Sequence, residues 1–109
     1  DLSGGDQIKD YTYIDDIVDG IFSCLMVDKN INGEIINLCS SNPITIKEIV
    51  NKIVELMNTM PLDFGDKDYR PNENMELWGS NNKAKEILNW QPKIDLVNGL
   101  KKTIKSYKQ

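Results

Sequence analysis

Apolar positions along the chain fall mostly at helical spacing, interrupted by short runs that suit extended backbone. Asp10-Tyr11-Thr12-Tyr13-Ile14 is aromatic and β-branched and predicts a short strand or extended segment. Asp15 and Asp16 then supply acidic signals for a helix start, followed by Ile17, Val18, Ile21, Phe22 and Leu25 on one face. A turn over Asn30 to Gly33 leads into Glu34-Ile35-Ile36-Asn37-Leu38, which is apolar on both faces and predicts a buried parallel strand. Thr45-Ile46-Lys47-Glu48 has the form of a capping box, and Ile46, Ile49, Val50, Ile53, Val54 and Met57 continue it as an amphipathic helix. Pro61 to Phe64 reads as a short extended piece and Gly65 to Gly79 as irregular. Two closing helices are predicted, one around Asn81 to Leu88 and one from about Leu96 to Tyr107 with Leu100 and Ile104 inward. The Trp90-Gln91-Pro92 link ends the first of them, because proline disfavours helical geometry in the residue before it.

At 109 residues the chain is one domain with a modest core. Hydrophobic residues at 39% and charged residues at 28% are ordinary for a globular domain. The net charge of −4 offers no basic face to nucleic acid or to an anionic membrane. No apolar run reaches the roughly 18–20 residues of a membrane span, and the first residues lack the pattern of a signal peptide, so the expected location is cytoplasmic. Cys24 and Cys39 have no metal-ligand spacing and no histidine to join them; both read as reduced, packed thiols.

One arginine stands among thirteen basic residues: Arg70, in Tyr69-Arg70-Pro71-Asn72-Glu73. A guanidinium presents a rigid fork that pairs with phosphate or carboxylate oxygens, which lysine cannot do. A structural ion pair is the competing explanation.

Two segments carry a resemblance. Gly5-Asp6-Gln7-Ile8-Lys9-Asp10-Tyr11-Thr12-Tyr13-Ile14-Asp15-Asp16 is similar to the signature that follows the Rossmann core of the NAD-dependent epimerase/dehydratase family, the extended short-chain dehydrogenases that act on nucleotide sugars. Arg70-Pro71-Asn72-Glu73, then Gly79, Lys83-Ala84-Lys85 and Leu88-Asn89-Trp90-Gln91-Pro92, resembles the family's closing elements. Gly33 to Leu38 and Pro43 to Ile46 match its late strand and helix entry, so the resemblance spans essentially the whole chain.

The resemblance implies an α/β fold, α+β as an isolated piece: the mostly helical C-terminal, substrate-binding part of an extended short-chain dehydrogenase, with a few short strands. It implies that Arg70 contacts the diphosphate of a nucleotide sugar and that Glu73 helps hold the nucleotide. Lys9 stands where the family signature has arginine, so it is either a second, weaker phosphate cation or a solvated one. Gln7 lies where relatives use an amide toward the ligand, with a surface glutamine of no role as the alternative. Adjacent Asp15 and Asp16 are better explained by helix capping than as an acid/base pair.

Catalysis in this family needs a glycine-rich pyrophosphate turn at a helix N-terminus and a tyrosine four residues before a lysine. Neither is in the sequence. The chain is therefore expected to be the C-terminal region, residues 1–109, of a longer enzyme whose Rossmann domain binds NAD or NADP. By itself it should neither hold that cofactor tightly nor contain catalytic or metal-binding residues. The ligand would be a UDP-, dTDP-, GDP- or CDP-linked sugar; the rival reading is a stand-alone binding module with the same fold. Apolar surface on the Ile35-Ile36-Leu38 strand and the Ile49/Ile53 helix face, lacking its sheet, would favour self-association.

Overall fold

The computed structural model describes residues 2–60, 62–65 and 67–108. Four helices, α1 (Ile14–Met26), α2 (Ile46–Met57), α3 (Asn82–Leu88) and α4 (Leu96–Lys108), accompany three two-residue strands, β1 (Ile8–Lys9), β2 (Ile44–Thr45) and β3 (Glu76–Leu77). The sheet order is β2-β1-β3, with β2 antiparallel and β3 parallel to β1. β1 is thus central, and the residues flanking it extend the pairing: the Ile46 amide donates to the Gln7 carbonyl at 2.9 Å and the Lys47 amide to the Gly5 carbonyl at 2.9 Å.

Helix α2 forms as its sequence dictates. The Thr45 hydroxyl accepts from the Glu48 amide at 3.1 Å and the Glu48 carboxylate accepts from the Thr45 amide, closing the capping box. Asn58 ends the helix in the left-handed conformation. Helix α4 packs on α2 and covers the face expected to lie bare, so Ile49 is buried and Ile53 half-buried.

Several expectations are corrected. Of the two readings for Asp10 to Ile14 the strand does not form; Tyr13 is extended, the ladder lies just upstream at Ile8–Lys9, and Ile14 opens α1. Residues 34–38 form no strand either, and Ile35 is 80% exposed. A strand needs a neighbour to take its backbone groups, and no strand of this sheet lies beside that run. Conversely β3 arises inside the stretch read as irregular, because β1 offers Glu76 and Leu77 an edge. Helix α3 ends at Asn89 in the left-handed conformation, with the Trp90 amide closing onto the Ala84 carbonyl at 3.2 Å, before proline can act. Cys24 and Cys39 are free, half-buried thiols. In the short extended piece expected at Pro61 to Phe64, Pro61 lies outside the described residues and 62–64 belong to no helix or strand, which leaves that expectation standing.

Asp16 does not cap its own helix. Its buried carboxylate accepts from the backbone amides of Lys93 and Ile94 at 3.1 and 3.0 Å, while its carbonyl accepts from the Trp90 indole at 2.9 Å. One residue therefore ties α1 to the α3–α4 link. Gly20 lets this packing close, since a Cβ there would come within 2.7 Å of Leu38 and 3.1 Å of the Trp90 Nε1.

Among the described residues the buried apolar side chains are Ile49, Ala84 and Trp90. The radius of gyration is 16.5 Å, against about 13 Å for a compact chain of this length. The apolar face of α1, with Ile14, Val18, Ile21, Phe22 and Leu25, stays exposed. With so little core, hydrogen-bonded anchors take a larger share of stability. Asp16→Ala should lower stability by about 2–3 kcal/mol, the scale for two hydrogen bonds to a buried carboxylate. Urea denaturation measures this, and an unchanged midpoint would remove Asp16 from that role.

Candidate functional site

The turn Arg70-Pro71-Asn72-Glu73 has a local cause. Proline at its second position presets φ, and Asn72 takes φ of 62°, the left-handed value that the third position of a type II turn requires. The Glu73 amide closes the turn on the Arg70 carbonyl at 3.0 Å. Side chains three apart are thereby brought together, and Arg70 Nε donates to Glu73 Oε2 at 3.2 Å.

The other oxygen of Glu73 faces β1. Gln7 Nε2 donates to Glu73 Oε1 at 3.0 Å across a separation of 66 positions, and to Ser3 Oγ at 3.3 Å. Lys9 Nζ, on the same strand, donates to the Asn74 carbonyl at 2.9 Å. Gln7 and Arg70 therefore meet on the carboxylate of Glu73, and Lys9, bonded to the next residue's carbonyl, lies near enough for its charge to act on it. Gln7 is not the surface glutamine of the alternative: it is only 6% exposed.

The electrostatics follow from these contacts. The Gln7 amide, more than any other group, holds the Glu73 carboxyl below the usual glutamate range; burial opposes this, and Arg70 and Lys9 add to the lowering. At neutral pH Glu73 is ionised and both contacts stand. The Arg70 side chain is 81% exposed and that of Glu73 14%, so the carboxylate is the sheltered partner and the guanidinium faces outward. Its Nε edge is engaged, while among the described residues its terminal N–H groups have no partner and could meet a pair of anionic oxygens.

Two polar anchors escaped the sequence reading. Asp10 accepts from the amides of Ser40 and Ser41, at 3.2 and 2.9 Å, and from the Ser40 hydroxyl. Ser41, held at φ of 60°, passes the network on: its hydroxyl donates to the Gly79 carbonyl and accepts from the Asn81 amide at 2.8 Å. The network carries the segment from β1 to β3 into α3 and steadies both flanks of the Glu73 cluster. The density of Ser and Asn at 40–42 and 80–82 was the available signal.

Among the described residues Gly4 and Gly5 do not fit a dinucleotide pyrophosphate. No helix opens behind them, and a Cβ on Gly4 would meet the Tyr69 hydroxyl at 2.6 Å, one on Gly5 the Phe64 ring at 2.9 Å. Protein side chains fill the space a phosphate would need.

The model of the GDP-mannose 4,6 dehydratase family matches residues 1–103. The chain belongs to this family. It corresponds to the C-terminal region of NAD-dependent nucleotide-sugar epimerases and dehydratases, the extended short-chain dehydrogenases. Among relatives, it is 37% identical over 105 residues to the UDP-glucuronate 4-epimerase of Thermodesulfobacterium geofontis, covering 92% of this chain and 30% of that one. UDP-glucuronic acid decarboxylase 3 of Arabidopsis thaliana is 29% identical, over 88% of this chain and 27% of its own length. Among solved structures, the UDP-glucuronic acid 4-epimerase of Bacillus cereus, in complex with UDP-glucuronic acid and NAD, superposes with a TM-score of 0.84 at 29% identity, covering 97% of this chain and 34% of that one. The UDP-glucose 4-epimerase of Thermotoga maritima, solved with UDP-glucose, gives 0.88 at 25% identity over 99% and 34%. The chain thus spans about a third of the length of the relatives it matches, and its α/β architecture is that of a piece of their Rossmann-type fold.

The turn is the local element on which the cluster rests. Asn72→Val should lower stability by about 1–2 kcal/mol, because a β-branched residue resists the left-handed conformation, whereas Asn72→Gly should hold it. Thermal denaturation of the two variants makes the check; equal midpoints would mean the turn tolerates another conformation.

Proposed function

We propose that this chain is the nucleotide-sugar-binding part of an NAD- or NADP-dependent epimerase/dehydratase. It holds the nucleotide diphosphate while a Rossmann domain outside residues 1–109 binds the cofactor and oxidises the sugar at C4. The observation that carries this reading is the convergence of Gln7, Lys9, Arg70 and Glu73, with Arg70 anchored at Nε and its outer N–H groups without a partner among the described residues. A diphosphate presents paired oxygens to such a fork, and its charge calls for a matching cation. Lys9 adds a second, unforked charge on the neighbouring strand, and Glu73, with the buried Gln7 behind it, completes the set that holds the nucleotide.

Acidic Glu73 also narrows the chemistry. A carboxylate repels phosphate, so the diphosphate belongs on the Arg70 side and the neutral hydroxyl and N–H donors of the nucleoside on the Glu73 side. The four nucleotide classes, UDP-, dTDP-, GDP- and CDP-linked, share that arrangement. Relatives named for UDP-sugars favour uridine as the base, and cytoplasm is the compartment we assign to the enzyme. The reading requires a glycine-rich βαβ unit and a tyrosine-lysine pair encoded in frame upstream; a stop codon there would favour a stand-alone binding module.

The deciding experiment is a thermal-shift panel of UDP-, dTDP-, GDP- and CDP-sugars on the protein expressed from the whole reading frame containing this chain. One class should stabilise it, and Arg70→Lys should weaken that ligand by about 1–3 kcal/mol, the scale of a charge-assisted hydrogen-bond pair. Unchanged affinity in that variant would return Arg70 to a structural role.

The bare apolar face of α1 bears on the chain alone. Expressed as residues 1–109, it should self-associate through Val18, Ile21, Phe22 and Leu25. Light scattering at high concentration measures the mass, and a clean monomer would count against the face being adhesive.

A further inference from the structure

We propose that Gln7 is a positioning residue of the diphosphate site: its Nε2 fixes the Glu73 carboxylate, whose second oxygen sets the Nε edge of Arg70. The inference rests on the reading of Arg70 as the diphosphate clamp and assigns how the clamp is held in place.

Three observations carry it. The first is the continuity of the hydrogen bonds, Gln7 Nε2 to Glu73 Oε1 at 3.0 Å and Arg70 Nε to Glu73 Oε2 at 3.2 Å, so one carboxylate bridges a sheltered amide and an outward guanidinium. The amide orientation is dictated by chemistry, because exchanging its two ends would set an oxygen against a carboxylate oxygen.

The second is what this orientation leaves behind. Gln7 Oε1 is buried and has no hydrogen-bond partner among the described residues. An apolar side chain of similar length would fill the site without stranding an acceptor, so a purely structural account disfavours glutamine here. Glutamine is accounted for if its two N–H groups are the point, and both are used, on Glu73 and on Ser3.

The third concerns Arg70. An exposed arginine carries large rotamer freedom, and a surface ion pair restrains it weakly when both partners move. Here one partner does not move freely: Glu73 is 14% exposed and held from β1. The sheet thus lends its rigidity, through Gln7 and Glu73, to a guanidinium on a turn. A clamp oriented before the ligand arrives loses less entropy on binding.

Because Arg70 is the sole arginine, its ¹⁵Nε–H signal is a single resonance that reports the relay without any ligand. In the unmodified chain that signal should be sharp at neutral pH, as expected of a hydrogen-bonded Nε–H. In Gln7→Met, which keeps side-chain length but removes the donor, it should broaden into exchange with water, and the Glu73 carboxyl should titrate at higher pH. Gln7→Asn, whose amide falls short of Glu73, should do the same and serves if the methionine variant does not fold. A merely structural Gln7 would change stability and leave the Arg70 resonance sharp, which overturns the proposal; so does a broad signal in the unmodified chain. The ligand arm uses UDP-glucose with the protein from the whole reading frame, where Gln7→Met should weaken binding about three- to tenfold, as loss of one hydrogen bond implies. If Arg70→Lys weakens UDP-glucose and Gln7→Met does not, the relay fails while the clamp stands. If Arg70→Lys has no effect, the clamp itself fails.

Discussion

The buried carboxylate of Asp16 is the contact on which the rest of this structure depends. It receives the amides of Lys93 and Ile94 while its own carbonyl receives the Trp90 indole. Through it α1 is joined to the α3–α4 link, and Trp90, one of the few buried apolar side chains described, is held over Gly20. α4 in turn packs on α2, whose capped N-terminus begins where β2 pairs with β1. The order of dependence runs from one carboxylate to the strand that carries Lys9 and adjoins Gln7.

A flat chain with a small core cannot position side chains by packing alone. Its geometry comes instead from polar groups that find partners across long stretches of sequence: Asp10 on Ser40 and Ser41, Asn81 on the Cys39 carbonyl, Gln7 on Glu73. Hydrogen bonds are directional in a way that apolar contacts are not, so such a network can hold a site where the core is thin. Each strand is two residues long, too short to be stable unsupported, and its pairing survives through these flanking anchors.

The exposed face of α1 and the unpaired run at residues 34–38 belong to the same picture. Ile35 lies in solvent as the α1 face does, although Glu34 pairs with Lys83 and Leu38 packs at Gly20. The family relationship gives this a setting, since the chain covers about a third of the length of its relatives. The Glu73 cluster draws on neither of these surfaces: every hydrogen bond that forms it lies between residues 3 and 74.

Local order was legible in the residues. The capping box at Thr45 and Glu48, the apolar stripe of α2 and the extent of α4 depend on neighbours within a few positions, and they formed where the pattern placed them. The four residues of the candidate cluster were also legible, though through family resemblance and not through spacing. Tertiary structure alone decided what each side chain faces. It made Asp16 an anchor for a distant loop instead of a cap, buried Gln7, left Ile35 in solvent and raised a strand from Glu76 and Leu77. The reason is physical: helix formation is settled by contacts three or four residues apart, whereas strand pairing and carboxylate partnership are settled by whichever remote backbone the fold brings alongside.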